Sequence, residues 1–214
     1  MQAMLKASDL GPAAQHLAGI DPALSDVLKR YGPPPLWKRP ATFSTLVHVL
    51  LEQQVSLVSA MATFKRLNAA CRGRVTASRV SDLGGDALRE LGFTRQKARY
   101  ATALAADVVA RRFQVGTLRH LSDDEALSQI TGCLGFGAWS ANVFLLLALA
   151  RPDVLPLGDL ALVKGMHELD GGNYENVDAL VARAEKWRPY RGVATRMIWQ
   201  LYLTNRNRLA EMPG

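Results

Sequence analysis

Apolar positions recur at helical spacing along most of the chain. Phe43, Leu46, Val47, Leu50 and Leu51 fall three and four residues apart, a break follows at 53–56, and the period resumes with Leu57, Ala60, Met61, Phe64 and Leu67. Cap chemistry marks the helix ends. Asp21-Pro22, then Ala23 to Tyr31, then Gly32 read as N-cap, first-turn proline, helix and glycine stop. Thr94 caps an amphipathic stretch to about Phe113, and Ser122 with Glu125 forms a capping box for a helix ending near Thr131. Asn176 or Asp178 caps a helix leading to Trp187, and Arg191 to Asn205 is the last helix. The apolar run Val143 to Ala150 is shorter than the ~20 residues of a membrane span and reads as a buried helix. No window alternates as a half-buried strand would, and no repeat of fixed period is present. The pattern predicts an all-α chain, with its strongest breaks at 33–35 and 152–158.

Composition changes this picture in two ways. At 214 residues and 49% hydrophobic, the chain suits one large domain or two small lobes. A net charge of +7 favours a polyanionic partner, because Lys and Arg displace condensed counterions from phosphates; a merely basic protein is the plainer alternative. Cys71 and Cys133 are far apart and form no zinc or iron–sulfur spacing. With no apolar signal segment over 1–9, a reduced, cytoplasmic protein is expected. His48, His120 and His167 show no ligand spacing.

Two segments carry candidate chemistry. The first is 130–141, ITGCLGFGAWSA, a Gly-hydrophobic-Gly turn between two helices. Its glycines permit positive φ and leave N–H groups uncovered at the start of the second helix, where the dipole also favours an anion such as a phosphate. An ordinary αα-hairpin with a glycine-rich loop has the same look. The second segment is 151–162, RPDVLPLGDLAL, in which Asp159 follows a glycine at the start of a helix. Read locally, an Asp there is more often an N-cap than a catalytic group.

These pieces together resemble the helix–hairpin–helix DNA glycosylase superfamily, and within it the 3-methyladenine DNA glycosylase II (AlkA-type) branch. The resemblance extends to 43–60 (FSTLVHVLLEQQVSLVSA), 88–100 (LRELGFTRQKARY) and 187–199 (WRPYRGVATRMIW), in order from about residue 20 to 205. It implies two helical lobes, 36–145 with the hairpin at 130–145, and 1–35 plus 146–214, with an active-site cleft between them and no N-terminal β domain.

The resemblance also assigns residues. Asp159 would be the catalytic carboxylate, stabilising the oxocarbenium-like sugar as the base departs. Trp139 and Trp199 would line the base pocket, stacking on a flipped, often cationic base, although lone tryptophans are commonly core residues. Gln53, Gln54, Val55 and Ser56 would enter the minor groove, and Gly135, Phe136, Gly137, Ala138 and Ser140 would meet the DNA backbone; Gln53 and Ser56 are equally able to cap helices. The carbonyls of Thr131, Cys133 and Phe136 would bind a structural Na or K ion, with no cofactor required. Arg95, Lys97, Arg99, Lys186, Arg188 and Arg191 are candidate phosphate contacts. Trp139 stands where lyase-competent relatives carry a lysine nucleophile, so a monofunctional enzyme without AP lyase activity is expected. Val143 and Leu160 replace tyrosines of members with a more aromatic site. The implied partner is double-stranded DNA containing alkylated bases, met by a monomer. A non-catalytic lesion-binding helix–hairpin–helix protein is the alternative.

Overall fold

The computed structural model describes residues 4–212, and among these there is no strand. The helices are α1 (Ala7–Ile20), α2 (Pro22–Tyr31), α3 (Phe43–Glu52), α4 (Leu57–Ala70), α5 (Ala77–Glu90), α6 (Arg95–Val109), α7 (Asp123–Thr131), α8 (Ala138–Leu147), α9 (Leu160–Asp170), α10 (Val177–Glu185) and α11 (Arg191–Thr204). Short 3₁₀ segments lie at Val115–His120 and Leu209–Glu211. No helix is long and apolar enough to cross a membrane.

The predicted caps form as bonded groups. Asp21 accepts the Ala23 N–H, Thr94 the Lys97 N–H and Ser122 the Glu125 N–H, while Glu125 returns to the Ser122 N–H. Asn176, rather than Asp178, caps α10. The pattern does not predict α1 or α5. Gly11 and Pro12 interrupt the period in α1, and α5 is kinked at Gly84. Helix α6 stops short of Phe113, because Arg111 turns to φ +58° and the Arg112 N–H reaches back to the Asp107 carbonyl at 2.9 Å.

The chain divides into two compact units. Among the described residues, one is Pro40–Phe144 and the other joins 4–39 to 145–212. Residues 36–39 therefore belong with the terminal segments, not with the central lobe as expected. The reason is local: the Arg39 N–H bonds the Leu147 carbonyl at 2.9 Å, and the Trp37 ring lies against Trp199.

In the central unit α3 packs on α4 and α6, and α5 on α6. Leu46, Leu50, Leu67, Leu88 and Leu104 are fully or almost fully buried there. In the other unit α11 packs on α1, α2 and α9 around Leu17, Leu24, Met166, Trp187 and Ile198.

This second core contains a buried charge. The Asp21 carboxylate accepts from Arg183 Nη1 at 2.6 Å and from Trp187 Nε1 at 2.7 Å, with Lys186 Nζ at 3.2 Å. Burial alone would raise its pKa. The hydrogen bonds from Arg183, Trp187 and Lys186 and the Arg183 charge outweigh burial and hold it at about 2, below the ordinary 3.8. A depressed carboxyl pKa stabilises the fold above the unfolded value, and that contribution is lost as pH falls through the folded value. Asp21→Asn is therefore expected to cost about 3 kcal/mol in urea unfolding at neutral pH, because it removes the buried charge that Arg183 and the Trp187 indole are placed to bind. The gap between variant and wild type should narrow as pH falls from about 4 towards 2.

Candidate active site

In the central unit, the end of α3 and the start of α8 are tied together by side chains. Helix α3 ends at Glu52 with Gln53 as its C-cap, and the chain reaches α4 through an exposed tip in which Gln54 has φ +57°. Ser56 closes the turn by capping α4, accepting the Ser59 N–H at 3.2 Å. Lys97, on the first turn of α6, donates to the carbonyls of Leu51 and Gln53, both at 2.7 Å. A cation on the carboxyl end of a helix is the favoured sign, and burial lowers the pKa of this ammonium from its ordinary value. The Gln53 amide donates in turn to the Gly135 carbonyl and to Ser140 Oγ, both at 2.9 Å.

The hairpin itself is held by shape. Gly135 has φ +87°, and a Cβ there would run into the Tyr100 ring. Phe136 is buried, and its N–H bonds the Cys133 carbonyl at 3.1 Å. Gly137 and Ala138 are exposed at the start of α8. Of the nominated DNA-binding residues, Gln54, Val55, Ser56, Gly137 and Ala138 lie on the surface. Phe136 and Ser140 are buried, and the Gln53 amide is turned inward to Gly135 and Ser140. Trp139 is half-buried and Val143 buried.

In the other unit, Asp159 caps α9. Its Oδ1 accepts the Leu162 N–H at 2.8 Å and the Trp199 indole N–H at 3.0 Å. Gly158, at φ +80°, gives the backbone the left-handed turn that brings Asp159 to the helix start. Asp159 is half-buried, and Leu160 beside it is exposed. Trp199 is 5% exposed and is backed by Trp37, with ring centroids 6.5 Å apart and planes tilted by 51°. Two hydrogen bonds on one oxygen set the rotation of the carboxylate.

Residues 47–189 match the HhH-GPD superfamily of base excision DNA repair proteins. The chain belongs to this superfamily. A Bacillus subtilis protein provisionally named as a DNA-3-methyladenine glycosylase is 22% identical over 83% of the chain, which spans 65% of that protein's length. The crystal structure of a DNA-3-methyladenine glycosidase from Bacillus halodurans has a TM-score of 0.78 at 26% identity, covering 92% of this chain and 91% of that one. The Schizosaccharomyces pombe 3-methyladenine DNA glycosylase in complex with abasic DNA has the same TM-score at 24% identity, covering 94% and 98%.

Within this HhH-GPD chain the structure gathers Asp159 with Trp199, and Gln53 with Gly135 and Ser140. Four of the six basic residues nominated for phosphate already have partners within the protein. Lys97 is spent on carbonyls, Lys186 on Asp21, Arg188 on Glu185 and Asp153, and Arg191 on Asp153. Arg95 and Arg99 remain exposed. Sequence reasoning missed Trp37. It is 5% exposed despite φ +45°, and its only sequence signal is an aromatic isolated in a Pro- and Lys/Arg-rich connection. Gly135→Ala is expected to destabilise the fold by roughly 1–3 kcal/mol, through positive φ and collision with Tyr100. Gly137→Ala, whose Cβ meets nothing within 4 Å, serves as the near-neutral control in the same urea titration.

Proposed function

We propose that this chain is a monofunctional DNA glycosylase, which turns an alkylated purine out of duplex DNA and hydrolyses its N-glycosidic bond with Asp159. The observation that carries this reading is the Asp159 carboxylate, held on one oxygen by the α9 cap and the Trp199 indole. The superfamily match and the relatives named for 3-methyladenine support the reaction class.

The chemistry follows from the charge that develops. As the C1′–N bond breaks, the bonding electron pair leaves with the base and the sugar becomes oxocarbenium-like. A fixed carboxylate stabilises that positive charge. Water then forms the new C1′–O bond, and its proton passes to the carboxylate or to solvent. A base already cationic through alkylation departs neutral, so no second carboxylic acid is required. Trp199, hydrogen-bonded to Asp159, is the stacking candidate for the base in that unit, since indole faces favour cationic rings. Trp139 offers no amine to attack C1′, so no Schiff base forms and the strand is not nicked. The Thr131, Cys133 and Phe136 carbonyls would supply the oxygen donors for a structural Na or K ion, and Cys133 keeps a second lone pair beyond its bond to Phe136.

Asp159→Asn is expected to slow free-base release from methylated duplex DNA by on the order of 10²-fold or more. Equal rates would overturn the assignment. Borohydride treatment of the wild-type reaction is expected to trap no covalent adduct.

A further inference from the structure

Lys97 is a cation that the proposed chemistry does not use. It sits on α6, 44 residues from its partner Gln53, and gives two 2.7 Å hydrogen bonds to the carbonyls on either side of the last α3 residue. The next residue, Gln54, is exposed and left-handed, a conformation that costs a non-glycine residue about 1–2 kcal/mol unless its neighbours impose it. Gln53 spans the gap to the hairpin at Gly135 and Ser140. Three residues along α6, Tyr100 fills the space over Gly135, and Gln96 donates to the Tyr100 hydroxyl at 2.6 Å. One face of α6 thus braces both the exposed turn and the glycine hairpin.

We infer that Lys97 is a positioning residue for DNA engagement: it locks the 53–56 turn onto the hairpin so that Gln54 is presented as a preformed probe of the base stack. The inference rests on the glycosylase reading. It does not make Lys97 a phosphate contact, because its donors point at protein carbonyls. A rigid probe matters only when a base must be pulled from a paired stack. Its loss is therefore felt on duplex DNA and not on a lesion already unpaired.

The test compares wild type with Lys97→Met, which keeps most of the stem and removes the donors, and with Lys97→Arg, which restores donors. Single-turnover release of a methylated purine is measured from a duplex and from the same lesion in an unpaired loop. Lys97→Met is expected to lose about tenfold or more on the duplex while staying within about twofold on the loop, with Lys97→Arg recovering part of the duplex rate. Equal losses on both substrates, or no loss on either, overturn the inference. The salt dependence of duplex binding should keep its slope; a fall equivalent to one phosphate contact would show Lys97 to be a backbone ligand instead. Amide hydrogen exchange of the free protein gives an activity-independent readout. Lys97→Met should speed exchange at 53–57 and 135–137 and leave α11 unchanged. If wild type releases no base from either substrate, the glycosylase reading fails. Exchange then decides alone, and an unchanged pattern overturns the brace.

Discussion

A single oxygen, Asp159 Oδ1, ties two elements of the terminal unit together. It opens α9 by taking the Leu162 N–H, and it anchors α11 by taking the Trp199 indole N–H. The first bond satisfies an orphan donor at the helix start and places the carboxylate in the favourable end of the dipole. The second joins residues 40 apart in sequence. Capping and catalysis are usually weighed as rival explanations of an Asp in this place. Under the proposed function the two are compatible, because the cap and the indole bond hold the carboxylate rigid, and rigidity before reaction is what electrostatic catalysis needs.

The same economy appears at the carboxyl end of α8. Its Leu145 and Leu147 carbonyls are taken by the backbone N–H groups of Arg151 and Arg39, and its Leu146 carbonyl by Arg196 Nη2 at 2.7 Å. Cations near a helix carboxyl terminus are the favoured sign. Burial nonetheless pulls the Arg196 guanidinium down to about 10, the mark of a charge taken from water at a cost. These contacts fix the start of the 151–159 connection, so the segment that delivers Asp159 is anchored at both its ends.

Helix positions were largely legible because hydrophobic period and caps are local signals. Thr94, Ser122 and Asn176 cap the helices they were expected to cap. Helix α1 forms through Gly11 and Pro12, two poor helix formers, because the packed face Leu10, Ala13, Ala14 and Leu17 overrides their propensity. The site was legible only in part. Sequence displays the charge of Lys97, Lys186, Arg188 and Arg191 but not the distant acceptors that consume it, such as Asp153 for Arg191, 38 residues away. Trp37 was illegible for the same reason, since its partner Trp199 lies on the last helix. The inward turn of Gln53 and Ser140 likewise depends on a contact between segments 87 residues apart.

Gln54 and Trp37 are two of the six described non-glycine residues with positive φ, and both stand beside candidate site segments. Each needs neighbours that over-determine its backbone, because an isolated side chain of this kind would relax. Gln54 has them in Lys97, in the Gln53 amide and in the Ser56 cap. Trp37 has them in the Arg39 bond to Leu147 and in Trp199. In each place one restraint is a side chain, Lys97 or Trp199, that a surface reading would assign to DNA or to the base. A basic or aromatic residue near such a site therefore has two competing uses, touching the ligand and holding the backbone that does. The hydrogen bonds already spent in the free protein separate the two, and by that criterion Lys97 and Gln53 hold the turn while Gln54 is left to touch.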